Sequence, residues 1–113
     1  MLPANLPIPE TLKSFAIPMS HLGIRDIAWP RAQALEIVSA LDGTAWAVLG
    51  GDVFVLRENA FAHAYANWHS DRRADETCSD FVKRSHSETR SYIERYPEKD
   101  ATVSYGLVFK QCI

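Results

Sequence analysis

Residues 45–57 read AWAVLGGDVFVLR, and this apolar stretch with a glycine pair at its centre decides how the chain is expected to fold. AWAVL (45–49) and VFVLR (53–57) are rich in residues that favour β-strands. Gly50 and Gly51 suit a tight hairpin turn, because the central residues of such a turn need positive φ. The pattern therefore predicts two antiparallel strands that are joined at the glycines.

A phosphate-binding loop is the alternative for the same glycines. Such a loop needs a helix directly after it and usually a lysine, whereas a strand follows here, so the hairpin is favoured. In that hairpin Val48 faces Val53 and Trp46 faces Val55, in a register that a bulge would shift. Asp52 is then either a turn residue that bonds local amides or an exposed charge aimed at a partner.

Two helices and a third strand complete the predicted fold. Apolar residues at three- and four-residue spacing predict a helix over 30–42 and a longer one over 76–96. ATVSYGLVFK (101–110) alternates and predicts a strand, while residues 58–75 have weak periodicity and are expected to form a connection with one helical turn. The order α-β-β-α-β predicts an α+β fold, a small, largely antiparallel three-stranded sheet packed with two main helices.

Size and charge limit the class of protein. The 113 residues and 12.7 kDa predict one domain over 1–113. Four of the six prolines lie in the first 18 residues, so residues 1–28 are expected to form an ordered, proline-rich arm against the body. A net charge of -2, without a face rich in lysine and arginine, argues against direct binding of nucleic acid.

The sequence also predicts a compartment. No apolar run approaches the roughly 18 residues of a membrane span, and MLPANLPIPE lacks the basic region and apolar core of a secretory signal. The two cysteines, Cys78 and Cys112, do not make a disulfide framework. We therefore expect a cytoplasmic protein without membrane contact and with both thiols reduced.

No constellation of residues points to catalysis, a metal or a cofactor. The four histidines lack the i,i+4 pairing of helical metal ligands, and the cysteines are far from metal-ligand spacing. Cys78 lies on the inner stripe of the second helix, where a cysteine usually packs as a small hydrophobe. We expect no catalytic residue and no metal ligand. The enzymatic alternative is a small hydrolase or transferase that uses His69, Asp71 and either Cys78 or His86.

Trp68 is the candidate anchor of an interaction surface. It lies in the polar stretch YANWHSDRRADE, and a tryptophan beside arginines and acids has the composition of an interface hot spot. The alternative is that Trp68 pins the loop to the core, and both hold if the pinned loop presents its charges rigidly. The expected partner-binding residues are Asp52, Glu58, Trp68, Asp71, Arg72, Asp75 and Glu76.

Four short motifs carry a resemblance to a known family. LGGDVFV (49–55), NW (67–68), FVKRS (81–85) and YIERYP (92–97), in this order and spacing, resemble the immunity protein 40 family. Members of that family are predicted antidotes encoded beside polymorphic toxins of bacteria. The resemblance runs from about residue 29 to the C-terminus. It implies a binding protein without enzyme activity, whose partner is the C-terminal domain of a cognate toxin.

The function expected from sequence is therefore that of an immunity protein against a toxin that acts in the cytosol. A ligand-sensing or scaffold domain without a toxin partner is the alternative from another class. Its docking surface would be the smaller, more polar sheet face, on which another protein or a second copy would lie. The residues of that face are Ala45, Ala47, Ser104 and Gly106.

Overall fold

The computed structural model describes residues 2–24, 26–98 and 101–113, and its strands form one five-stranded antiparallel sheet in the order β1-β2-β5-β3-β4. The predicted α+β class with an antiparallel sheet is confirmed, but the predicted three strands and two main helices fall short of the five strands and three helices found in these residues. A 3-10 turn follows the first strand. The elements are α1 (Glu10–Lys13), β1 (Ile17–Pro18), β2 (Ile27–Pro30), α2 (Arg31–Leu41), β3 (Trp46–Arg57), β4 (Ala60–His69), α3 (Cys78–Arg95) and β5 (Val103–Gln111).

The glycine pair lies inside a long strand, so the predicted turn at Gly50 and Gly51 is wrong. β3 runs through both glycines without a break, and its turn to β4 is at Glu58 and Asn59. β5 pairs with one edge of β3 and β4 with the other. The two short strands expected to face each other are consequently one central strand with a neighbour on each side.

Because the turn is not at the glycines, the pairing of the residues of β3 also differs from the predicted register. Val48 and Val53 were expected to face each other, as were Trp46 and Val55, but all four pair with residues of β5, and Val55 pairs also with Ala62 of β4. Val48, for example, lies opposite Phe109. A β-bulge next to the first glycine shifts the register between the two halves of β3, which is the irregularity that the sequence reasoning left open.

Close backbone approach explains both glycines. A Cβ atom at Gly51 would lie 1.9 Å from the carbonyl oxygen of Gly106, and one at Gly50 would lie 2.1 Å from that of Trp68. Gly50 also has a φ of 151°, which residues with a side chain rarely adopt. The pair thus lets the backbones of β5 and β4 lie against β3 on both sides.

β4 is the strand that the sequence reasoning missed. The connection with one helical turn expected at 58–75 is wrong, because most of this segment is β4. Alanine occupies every second position from 60 to 66, which is the period of a strand. The signal is weak because alanine adds little hydrophobicity. Ala64 and Ala66 pack against the main core.

α2 and the C-terminal half of α3 cover one face of the sheet, here called the inner face. The helices predicted over 30–42 and 76–96 are confirmed as α2 and α3. Ile37 of α2, Ile93 of α3 and Tyr105 of β5 are fully buried in one core. This core also takes alternate residues of β5, as their pattern predicted. Burial of these apolar side chains provides most of the driving force for folding.

The first part of the arm is packed against this core. Leu6, Ile8 and Leu12 are buried in it. The indole N–H of Trp29 on β2 donates a hydrogen bond of 3.0 Å to the carbonyl oxygen of Leu12. Trp29 therefore fastens the arm to the sheet.

The later part of the arm crosses to the other face of the sheet, here called the outer face. Val53 belongs to the inner core, and the next residue, Phe54, belongs to a separate cluster with Met19 of the arm, as the alternation of a strand requires. The ring of His21 places Nε2 2.7 Å from the carbonyl oxygen of Phe61 on β4. The arm thus spans from β2 to the far edge of the sheet.

α3 completes the edge of β3 where β4 falls short. The Val48 N–H donates to the Ser85 hydroxyl at 3.1 Å, and His86 Nε2 lies 2.8 Å from the carbonyl oxygen of Trp46. His86 Nδ1 lies 2.9 Å from a carboxylate oxygen of Asp42. Burial works to raise the pKa of Asp42, but hydrogen bonds from His86 and a neighbouring arginine hold that pKa below its ordinary value. Side chains of α3 thus replace the missing strand partners.

A disulfide joins Cys78 to Cys112, so the expected pair of reduced thiols is wrong. The Cα atoms lie 5.5 Å apart, a separation that a disulfide can span. The Cys112 N–H donates to the carbonyl oxygen of Ala45, which continues β5 past its end, and the Thr77 hydroxyl caps the first turn of α3. These two local features bring the end of β5 to the start of α3.

Candidate functional site

The outer face of the sheet is covered at its two ends and bare between them. At one end the arm packs against Phe54 and Phe61. At the other end the first turns of α3 place Phe81 and Val82 against Ala47. The bare part between the two covers, which we call the bare middle, contains a shallow groove of about 360 Å³ between β3, β4 and β5.

Backbone, one carboxylate and one apolar side chain shape this groove. Asp52 is partly buried in it, and its carboxylate makes neither a hydrogen bond nor an ion pair with any residue that the structure describes. Val108 of β5 forms an apolar wall and is 46% exposed. The residues that line the groove include Gly50, Gly51, Asp52, Asn67, His69 and Val108.

An aromatic row on the same face leads to the groove. The ring centroids of Phe54 and His63 lie 5.3 Å apart, and those of His63 and Tyr65 lie 5.7 Å apart. Phe54 is buried, whereas Tyr65 is 91% exposed. The row therefore runs from the covered part of the outer face to a tyrosine that stands in solvent.

Trp68 points to the inner face and fastens β4 to α3. Its indole N–H donates to the Thr89 hydroxyl at 3.0 Å, and its ring stacks on Tyr92 with 4.7 Å between centroids. A Cβ at Gly51 would meet this indole at 2.5 Å, so the ring lies directly on the strand. These contacts are the pinning role that was one of the two interpretations of Trp68.

Arg84 organises the loop after β4. Two of its nitrogens donate to the two carboxylate oxygens of Glu76, each at 2.8 Å, and a third interaction reaches Glu88 at 2.9 Å. It also donates to the carbonyl oxygen of Asp71. Hydrogen bonds from Arg84, and then from the Arg73 backbone N–H, lower the pKa of Glu76 to about 2. The loop is thereby held in one conformation.

The structure brings some of the expected partner-binding residues together and separates others. Asp71, Arg72 and Asp75 are exposed on the organised loop, which follows β4 where that strand passes the groove. The side chain of Glu76 is only 10% exposed because it faces Arg84. Glu58 lies at the opposite end of the β3–β4 hairpin, about 25 Å away along the strand at the usual rise per residue.

The four residues of the hydrolase hypothesis are not assembled into a site. His69 Nε2 lies 2.8 Å from a carboxylate oxygen of Asp71, and both side chains are largely exposed. Cys78 is oxidised in the disulfide, and His86 is buried with both ring nitrogens beside oxygen atoms of the fold. Within residues 2–24, 26–98 and 101–113, no group of three or more histidine, cysteine, aspartate or glutamate residues could hold a metal ion.

Three of the four residues named for a scaffold surface are closed off, although they belong to the same outer face as the bare middle. Ser104 and Gly106 of β5 are buried, and Ala47 is covered by the first turns of α3. The residues that sequence reasoning missed are Tyr65, Asn67 and Val108. The alanine alternation of β4 could have placed the first two on the face opposite the core.

Comparison with known protein families gives a match over most of the chain. Residues 18–109 match the family model described as Immunity protein 40, which confirms the resemblance and extends it from residue 29 back into the arm. No curated protein and no solved structure matches the chain. Among the helices of the described residues, none has both the length and the apolar character needed to cross a membrane.

Proposed function

Because the chain belongs to the immunity protein 40 family, we propose that it binds and neutralises one cognate toxin of a bacterial polymorphic toxin system. The partner is the C-terminal toxin domain of the protein encoded beside it, and the toxin acts in the cytosol. The observation that carries the proposal is the family match over residues 18–109. The protein acts by binding the toxin and does not itself catalyse a reaction.

The rigidity of the surface supports this function. Neutralisation needs an affinity high enough to hold the toxin through many encounters with its substrate. A surface that is ordered before binding loses little conformational entropy in the complex. Arg84 fixes the loop after β4 with several charge-assisted hydrogen bonds, and Trp68 fixes β4 itself to α3.

The contact surface that we propose combines the bare middle with the exposed loop. Asp52 lies in the groove, and the loop presents both signs of charge. Trp68 and Glu76, which were expected to bind the partner, serve this surface by holding β4 and the loop in place. Glu58 belongs to the other end of the hairpin and is left out of the surface. The loop residues are Asp71, Arg72 and Asp75.

The test is a purified complex. Mixing this chain with the C-terminal domain of the adjacent toxin should give a one-to-one complex in light scattering after gel filtration, and should abolish the activity of the toxin. Coexpression should restore growth of cells that produce the toxin domain. Absence of association at micromolar concentration of both proteins would contradict the proposal, as would growth protection without a complex.

A further inference from the structure

Tyr65 adopts a backbone conformation that a tyrosine rarely adopts. Its φ is 57°, in the left-handed region that favours glycine and asparagine. The cause is a bulge in β4, where the pairs Asp52–Asn67 and Phe54–His63 leave three residues of β4 opposite one of β3. A glycine would fit this bulge without steric conflict.

The exposed ring of Tyr65 contributes little to the stability of the fold. Tyr65 is 91% exposed, and its ring touches the aromatic row only at His63. An aromatic side chain stabilises a protein mainly through buried area, which is nearly absent here. Strained backbone at an exposed position is typical of residues that serve a binding function. Tyr65 therefore has the properties of an anchor residue in a protein–protein interface.

The groove beside Tyr65 is suited to a positively charged side chain. Tyr65 precedes Asn67 by two residues, so their Cα atoms are at most about 7 Å apart, and Asn67 lies opposite Asp52. The carboxylate of Asp52 lies in the groove, and within the described ranges it has no cationic partner. An arginine or lysine of another protein that enters the groove would supply that partner, with Val108 against its aliphatic stem.

The edge of β4 argues against a second copy as the occupant. An open edge strand can pair with a like strand, but only through a regular row of N–H and C=O groups. The bulge at Tyr65 interrupts that row in the middle of β4. The surface is therefore suited to contact through side chains, as in a complex of two different proteins.

We propose that the toxin docks on the bare middle of the outer face, with Tyr65 as its aromatic anchor and with an arginine or lysine of the toxin paired to Asp52 in the groove. This inference rests on the proposed function and gives it a binding site. It also predicts a feature of the toxin. A basic side chain should project from the toxin surface that covers Tyr65.

The first test separates binding from folding at Tyr65. Tyr65→Gly removes the ring and relieves the left-handed strain, so the midpoint of urea unfolding should stay equal or rise. The affinity for the toxin domain should fall at least about 30-fold, the loss typical of an anchor residue. Tyr65→Asn should give the same result. Phe15→Ala is the matched control, because this aromatic on the arm is also exposed, at 49%, and should leave affinity unchanged.

The second test concerns the charge in the groove. Asp52→Asn keeps the shape and removes the charge, so affinity should fall about 10-fold or more and the affinity should depend less on salt concentration. Asp80→Asn removes an exposed carboxylate in the first turn of α3 and should change neither. Calorimetric titration of the toxin domain at several salt concentrations measures both quantities.

The outcomes distinguish this inference from the function on which it rests. If the unchanged protein does not bind the toxin domain, the proposed function fails. If it binds, and both Tyr65→Gly and Asp52→Asn bind equally well, the function stands and this docking site is wrong. A lower unfolding midpoint for Tyr65→Gly and Tyr65→Asn would instead show that the tyrosine serves the fold, which would also overturn the inference.

Discussion

Gly50 and Gly51 carry a hydrogen atom where other residues carry a Cβ atom, and this allows β4, β3 and β5 to lie side by side. The carbonyl oxygens of Gly106 and Trp68 occupy the positions that Cβ atoms would need. The same dipeptide is common in hairpin turns, where the requirement is positive φ instead of space. A sequence gives no means to separate these two reasons, because the atoms that crowd the glycines come from distant parts of the chain.

Replacement of Gly51 by alanine should therefore be severe. The 1.9 Å approach to a backbone oxygen cannot be relieved by a change of rotamer. We expect a loss of more than about 3 kcal/mol in the free energy of unfolding, at the upper end for overpacked sites. Gly43→Ala is the control: its φ is 80° but its Cβ would meet open space, so about 1 kcal/mol is expected. Urea unfolding of the two variants checks this, and equal stabilities would be inconsistent with the packing described.

The pH dependence of stability should report on Glu76. Its pKa in the folded protein is about 2, below the ordinary 4.5, because of the hydrogen bonds from Arg84 and the Arg73 backbone. The unfolded chain therefore takes up this proton first as pH falls, so the stabilisation is complete above about pH 4.5 and is lost towards pH 2. Glu76→Gln should flatten the curve in that window. Glu94→Gln, at an exposed position of α3, is the control and should leave the dependence of stability on pH in this window unchanged.

At the scale of elements, the sequence pattern was sufficient for helices and insufficient for strand pairing. α2 and α3 have apolar stripes of helical period and are found within two residues of their predicted bounds. β5 alternates as expected. β3 and β4 were misread because a strand that is central in the sheet and a strand built on alanine both lack the usual contrast between a polar and an apolar face. Which strands are neighbours is a long-range property that local patterns do not contain.

The role of α3 as a substitute for a missing strand can be tested at Ser85. Its hydroxyl accepts the hydrogen bond of the buried Val48 N–H, so Ser85→Ala leaves that donor without a partner. A loss of about 1–3 kcal/mol is expected for a buried, unsatisfied group. Ser87→Ala, two residues along the same helix and exposed, should change stability by less than about 0.5 kcal/mol. A similar small effect at both serines in thermal unfolding would argue against this role.

At the scale of the whole molecule, the disulfide ties the end of the sheet to the start of the helix that covers its edge. Cys78 and Cys112 are separated by 34 positions, and their proximity follows from the antiparallel course of β5 along β3 and from the placement of α3. Spacing along the chain therefore did not predict it. Of the proposed contact surface, the sequence predicted Asp52 and the charged loop but not Tyr65, whose proposed role depends on a bulge formed with β3.

Reduction of the disulfide should weaken the fold without abolishing it. Opening a loop of this length costs about 3–4 kcal/mol in the chain-entropy model, whereas the inner core does not depend on the bond. The Cys78→Ala, Cys112→Ala variant and the reduced protein should both remain folded, with lowered unfolding midpoints of similar size. Circular dichroism during thermal unfolding measures this. A variant that is unfolded at room temperature would show that the disulfide is essential.

Amide hydrogen exchange of the free and toxin-bound protein tests the central claim most directly. We expect new protection in β4 near residues 63–69, at Asp52 on β3 and in the loop that contains Asp71, with α2 and the first part of the arm unchanged. Because the surface is ordered before binding, the added protection should stay local. Protection confined to α2 or to residues 2–15, or complex formation without any change in β4, would contradict docking on the bare middle.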